Sequence, residues 1–344
     1  MDTVVSVVIP THNRAGLVGR AVKSALGAIL PGDEIIVIDD GSTDDTAGAL
    51  SPFYDKIRYF YTPNSGPGSA RNFGIRLARS PLVAFLDSDD EWLPDKLYLQ
   101  RAVMCNFPDL VFCFTDVLAK RPKGEIVHNI LDLWRCDEWV GYADATTSWN
   151  DMLGPGVSFS SIAPLPEGRA DFNVHTGDLY AALMEAYSVS TCSVMVRKGA
   201  AGTSFRFPED QNICEDWECF ARLAKVGVAA YLNCEAAVQY VHRDSRLTDV
   251  ADSKQATARI KLLHRVWGED ESFLQKHSHR YQGVLKAQHL RRARYLIKEG
   301  KLPEAKEDLR IAGGGPWSYR LLTTLPPFVI RGLIRIRRTL RNRG

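Results

Sequence analysis

Leu82-Val83-Ala84-Phe85-Leu86-Asp87-Ser88-Asp89-Asp90 is the stretch that sets the fold class. Its five apolar residues match a strand buried on both faces, and the acidic run behind them has no place in an apolar core. In an open α/β sheet, ligands gather beyond the carboxyl ends of the parallel strands, which is where such a run would fall. Asp87 and Asp89, two residues apart, offer hard oxygens to Mg2+ or Mn2+, and such an ion can bridge diphosphate oxygens. An acidic loop that merely caps the following helix is the plainer alternative.

Working outward, the same design repeats. Apolar or β-branched runs lie at Val4–Ile9, Glu34–Ile38, Ile57–Tyr61 and Leu110–Phe114. Helix-like stretches separate them at Ala15–Leu26, Asp45–Leu50, Ser69–Ala78 and Leu93–Met104. This alternation predicts an α/β fold: a mixed, mostly parallel, Rossmann-like sheet flanked by helices. Polar loops follow the first two strands as well, Pro10-Thr11-His12-Asn13-Arg14 and Asp39-Asp40-Gly41-Ser42-Thr43-Asp44. Asn64-Ser65-Gly66-Pro67-Gly68-Ser69-Ala70-Arg71-Asn72 places glycines and an Arg at a helix start, which suits a phosphate or a plain turn.

Beyond residue 115 the pattern loosens. Residues 120–185 show no regular period and read as long loops over a binding face. A strand is expected at Val189–Val196, and Glu215-Asp216-Trp217-Glu218 opens a helix running to about Val226. Carboxylates there complement the helix dipole, or one of them serves as a general base. From about residue 255 the pattern is helical, with a hairpin over Tyr281–Ala312 turning at Gly300-Lys301-Leu302-Pro303.

Composition bounds the class. With 344 residues, 45% hydrophobic and 24% charged, the chain is an ordinary globular protein with room for a large core. The net charge of +2 conceals an uneven distribution: residues 317–344 carry seven Arg and no acid, leaving 36 basic against 41 acidic side chains elsewhere. The seven cysteines have no C-x-x-C spacing and read as reduced thiols, not a disulfide frame or zinc site. No signal peptide and no apolar run of about 18 residues is found, so a cytoplasmic protein is expected.

Five motifs now stand in order: Val7-Val8-Ile9-Pro10-Thr11-His12-Asn13-Arg14, Val37-Ile38-Asp39-Asp40-Gly41-Ser42-Thr43-Asp44, Gly66-Pro67-Gly68-Ser69-Ala70-Arg71-Asn72, Phe85-Leu86-Asp87-Ser88-Asp89-Asp90 and Glu215-Asp216. Together they resemble the family 2 glycosyltransferases, closely over residues 1–115 and more loosely over 189–245. The resemblance implies a GT-A fold and an inverting, metal-dependent transfer of a sugar from a nucleotide-sugar, with UDP-sugars favoured. It places Pro10, Thr11, Asn13, Arg14, Asp39, Asp40, Arg71, Asp87 and Ser88 at the donor. It gives Asp89 and His242 to Mn2+ or Mg2+, Asp216 the role of general base, and Glu215 a supporting one. The acceptor implied is a glycan or a lipid-linked molecule of cell-surface biosynthesis. Residues 120–185 match no pattern of that family.

The rival readings fit less well. A haloacid-dehalogenase phosphatase wants D-x-D-x-[T/V] after the first strand, whereas here it follows the fourth and its fifth residue is Glu91. A nucleotidyltransferase wants a glycine-rich loop where this chain has Pro10–Arg14. A non-catalytic nucleotide-sugar or glycan-binding homologue is the remaining alternative, against which both acidic motifs stand intact.

The expected organisation is a catalytic domain over 1–250, with a donor half to 115 and an acceptor half after it. A helical extension over 251–315 and a basic tail over 316–344 follow. Phe328–Leu340 gathers Val329, Ile330, Leu333, Ile336 and Leu340 on one side of a helical wheel, with Arg331, Arg335 and Arg338 opposite. That suits the anionic inner face of a membrane through 328–343, or docking on protein. No nucleic-acid partner is expected, since no stacking platform accompanies the arginines.

Overall fold

The computed structural model describes residues 3–136, 148–241, 251–322 and 324. The chain divides into two compact units, residues 1–244 and 245–344.

In the first unit the strands are β1 Val5–Thr11, β2 Glu34–Asp40, β3 Arg58–Thr62, β4 Leu82–Phe85, β5 Glu91–Trp92, β6 Leu110–Lys120, β7 Ile126–Val127, β8 Val157–Ser158, β9 Asn173–Gly177, β10 Val194–Arg197 and β11 Val228–Tyr240. The helices are α1 Val18–Ala28, α2 Thr46–Leu50, α3 Pro67–Leu77, α4 Lys96–Asn106, α5 Ile130–Cys136, α6 Trp149–Leu153, α7 Tyr180–Glu185, α8 Lys198–Ala201 and α9 Glu215–Val226. One mixed sheet runs β3-β2-β1-β4-β10-β6-β11-β9-β8, with β5 on β11 and β7 on β6. Strands β1 to β4 are parallel, β10 opposes both its neighbours, and β6 pairs parallel with β11.

The central strands explain their sequence. Every residue of β1 and β4 is buried, as the unbroken apolar runs require when helices cover both faces. The polar loops after β1, β2 and β4 leave the same edge of the sheet, because those strands share one direction. Inserting β10 antiparallel brings residues 190–193 to that edge, beside the end of β4.

Three details depart from the sequence reading. Strand β6 continues to Lys120 instead of stopping at Phe114. Within Val189–Val196 only the part from Val194 is strand, because Thr191–Ser193 form a 3-10 turn. The 13-residue β11 was not expected at all. Its Ala229, Ala230, Ala236 and Ala237 carry little strand propensity, yet all are buried; Ala229 and Ala230 pair with β6 and β9, and Ala237 pairs with β6 and β5.

The second unit consists of α10 Asp252–Leu263, α11 Glu271–Glu299, α12 Leu302–Ile311 and α13 Trp317–Leu322. The hairpin turn falls where it was expected. Gly300 ends α11 at φ 77°, and the Gly300 and Lys301 amides return to the Ile297 and Leu296 carbonyls. Ala293, Leu296, Ile297, Leu302, Ala305 and Leu309 form the core of the hairpin. No helix of the described residues is long and apolar enough to cross a membrane. The amphipathic stretch expected at 328–340 lies outside the described residues.

Candidate active site

Asp39 and Asp40 end β2 and are both buried, so each must find donors. Asp39 accepts from the Ser42 amide and the Tyr59 hydroxyl, both at 2.8 Å. Asp40 accepts from the Ser65 and Gly66 amides, also at 2.8 Å, and thereby fixes the turn into α3. Across the edge, Asn13 adopts φ 51°, and its Oδ1 accepts from the Thr43 amide at 2.7 Å. The loops after β1 and β2 are thus stapled to each other. Thr11, at the end of β1, is buried with an Oγ1 that meets no partner among the described residues. Pro10 sits beside it in the same strand, buried and paired with Ile38.

The glycine-rich motif at α3 does something the sequence did not show. A Cβ on Gly68 would stand 2.3 Å from the Pro208 carbonyl oxygen, so the close approach is to the protein's own backbone. Asn72 completes this seam: its side chain accepts from the Phe207 amide at 2.9 Å and donates to the Phe207 carbonyl at 2.8 Å. Arg71, buried next to it, donates through Nη2 to Asp87 Oδ1 at 2.8 Å and through Nη1 to Glu215 Oε1 at 2.9 Å. One guanidinium therefore ties the loop after β4 to the start of α9.

In the loop after β4, Ser88 and Asp90 are buried while Asp87 and Asp89 keep partial access to solvent. Burial raises Asp87 above the usual carboxylate range; Arg71 opposes the rise, while Asp89 and Asp216 add to it. The Asp89 side chain is 23% exposed, with Arg14 Nε 4.0 Å from its Oδ2. Arg20 holds the loop by donating to the Asp89 carbonyl at 2.9 Å. At α9, burial and then the neighbouring Asp216 push Glu215 up to about 7, against the pull of Arg71.

Asp216 is held differently. Its Oδ2 accepts from Tyr187 Oη at 2.5 Å and Thr191 Oγ1 at 3.1 Å, and its Oδ1 accepts from the Trp217 amide at 2.7 Å. Neither Tyr187 nor Thr191 was singled out from the sequence. Tyr187 lies between α7 and the 3-10 turn that carries Thr191, in the gap between the loops read over 120–185 and the strand read at Val189–Val196. Asp116, near the middle of β6, was missed too. It is raised by burial to about 6 and accepts from the Leu131 amide and the Tyr231 hydroxyl.

The structure thus gathers buried Arg71 and Glu215 with part-buried Asp87 and Asp216 into one cluster, with Asp89 and Arg14 at its margin. It engages Asp40 and Asn13 within the loops themselves. His242 lies outside the described residues. Among the described residues no three His, Cys, Asp or Glu side chains form a metal cage. The donor set fits Mg2+ or Mn2+ of the kind held by one or two carboxylates with substrate phosphates supplying further oxygens. It does not fit a structural zinc site, and the six described cysteines are free thiols.

Comparison with known proteins bears on the family and the fold. Residues 6–146 match the model described as glycosyl transferase family 2. An uncharacterised glycosyltransferase of Rickettsia conorii is 38% identical over 131 residues, which is 38% of this chain and 22% of that protein. The match therefore spans about a fifth of the relative's length. In fold, the chain is similar to residues 1–349 of S. aureus TarS in complex with UDP-GlcNAc, with TM-score 0.56, 13% identity, and coverage of 92% of this chain and 83% of that one. It is also similar to the mannosyltransferase PcManGT of Pyrobaculum calidifontis in complex with GDP-Man and Mn2+, with TM-score 0.50, 17% identity, and coverage of 93% and 78%.

Proposed function

This chain carries a glycosyl transferase family 2 domain with the GT-A fold, and we propose that it moves a sugar from a UDP-sugar onto an acceptor hydroxyl with inversion at the anomeric carbon. The carrying observation is the Arg71 bridge, which joins the D-x-D loop to Glu215 and sets Asp216 beside them. An inverting transfer needs that pairing: a carboxylate to take the acceptor proton, close to the groups that face the leaving diphosphate.

In this reading Thr11, Asp39 and Arg14 face the nucleotide, and Asp87 and Ser88 face the donor's ribose or sugar. Asp89 holds Mn2+ or Mg2+, which neutralises charge on the diphosphate when bound. Asp216 accepts the acceptor's hydroxyl proton. That oxygen bonds to the anomeric carbon as the bond from this carbon to the diphosphate oxygen breaks, and UDP carries the electron pair away. Tyr187 and Thr191 fix Asp216 on one oxygen, and Glu215 keeps Arg71 in place between the two motifs. The UDP preference draws on the motif pattern and on a fold neighbour solved with UDP-GlcNAc; a GDP-linked donor is the competing choice, since the other neighbour was solved with GDP-Man.

Asp216→Asn should lower nucleotide release in the presence of acceptor by about two orders of magnitude, the usual contribution of a general base. Thermal stabilisation by UDP should stay as in the wild type. Turnover equal to wild type would remove Asp216 from the role.

The setting proposed is the cytoplasmic face of an anionic membrane, reached through 328–343, with a cell-surface glycan or its lipid-linked precursor as product. Trp317 and Leu321, 73% and 53% exposed, place further apolar surface on α13 just before the basic tail. Flotation with phosphatidylglycerol-containing liposomes should recover the full chain but not residues 1–315. Equal recovery of the two would sink the membrane reading.

A further inference from the structure

The acceptor half offers Asp216 an aromatic surface that none of the donor motifs accounts for. Tyr187, which donates to the Asp216 carboxylate, touches two indoles, stacked on Trp134 and tilted by 46° against Trp217. Its ring centroid lies 5.4 Å from that of Trp217 and 5.4 Å from that of Trp134, the latter pair inclined by 25°. Trp217 is buried and serves the core, with its indole nitrogen donating to the Leu183 carbonyl at 2.7 Å. Trp134 is the outer member of the row, half-buried, and next to Leu133, which is 51% exposed.

Helix α5, which carries Trp134, is held in place from below. Ile130 and Leu131 are buried, the Leu131 amide donates to Asp116 Oδ1 at 3.1 Å, and Trp149 Nε1 donates to Asp132 Oδ1 at 2.8 Å. Asp116 therefore does for the acceptor half what Asp40 does for the donor half. From within β6 it fixes the start of α5 through the Leu131 amide. The result is a rigid indole one tyrosine ring away from the carboxylate assigned to proton removal.

From this arrangement we infer that the acceptor is itself a glycan, whose terminal sugar ring seats against Trp134 and offers a hydroxyl to Asp216. A pyranose suits the place because its C–H face is apolar and weakly positive, matching the negative face of an aromatic ring. Its rim of hydroxyls stays free for polar groups. A rigid aromatic anchor also adds contact area at small entropic cost. This inference rests on the transfer reading above and adds the acceptor's chemical class to it.

The test measures UDP released from UDP-glucose, UDP-galactose and UDP-N-acetylglucosamine with Mn2+ present. The acceptors are p-nitrophenyl glycosides of glucose, galactose, N-acetylglucosamine and mannose. At least one glycoside should stimulate release. Trp134→Ala should raise its KM about tenfold or more while kcat stays within about threefold, and Trp134→Phe should restore most of the affinity. Melting curves of both variants establish that they fold. Stimulation with the same KM in Trp134→Ala overturns the inference, as does absence of stimulation by every glycoside from protein that UDP still stabilises. Failure of every nucleotide to stabilise the folded wild type instead overturns the transfer reading beneath it.

Discussion

The aspartates that end β2 and the one that opens α9 are held in opposite ways. In the donor half, Asp39 and Asp40 are satisfied largely by backbone amides of nearby loops: Ser42, Ser65 and Gly66. In the acceptor half, Asp216 is held mainly by side chains, with Tyr187 and Thr191 reaching it from 29 and 25 residues away. Amide-held loops are built by short motifs and are rigid before any ligand arrives. A carboxylate held by side chains can be re-tuned by single substitutions, which suits the half that must match an acceptor.

That contrast can be broken at specific places. The largest effect on stability is expected from Asp40→Ala, which strands the Ser65 and Gly66 amides. Losing two charge-assisted bonds should cost about 2–4 kcal/mol in urea unfolding. Thr191→Val, on the other side, should cost about 1 kcal/mol or less, since a single hydroxyl bond to Asp216 is removed. Similar costs for the two variants would dissolve the distinction.

A pH-dependent effect is expected from within α4. Lys96 is fully buried, with Nζ 2.6 Å from Gln100 Oε1 and 4.2 Å from the centre of the Trp92 ring. Burial lowers it from 10.5 to about 7. The folded state then binds this proton more weakly than the unfolded chain. The cost is therefore full below about pH 7 and fades as pH rises toward 10.5. Stability should climb between pH 7 and 9, with a slope of at most about 1.4 kcal/mol per pH unit from this one proton. Lys96→Met should flatten that climb; an unchanged slope would assign it to other groups.

The same contrast explains what the sequence disclosed. Strands β1, β2 and β4 were legible because burial on both faces demands unbroken apolar runs, and the acidic loops behind them were legible because nothing in a core tolerates them. The Gly66–Asn72 motif was legible as a place but not as a role. Its Gly68 and Asn72 serve a seam with Phe207 and Pro208, a contact across more than 130 residues that no local pattern encodes. Strand β11 was hidden by its alanines, whose strand state comes from burial and from pairing with β6, β9 and β5. Tyr187, Thr191 and Trp134 were invisible as site residues because an aromatic or a hydroxyl in irregular sequence carries no period and no charge to mark it.

The central claim is that these loops form a nucleotide-sugar site. The most direct measurement is thermal melting of the purified protein with UDP, GDP, dTDP and their sugars, each with and without Mn2+, beside Asp89→Ala. A ligand that binds only the folded state raises the melting temperature by linkage. The account predicts a Mn2+-dependent rise confined to one base, UDP foremost, and its loss in Asp89→Ala. No rise with any nucleotide, from protein shown to be folded, would contradict it.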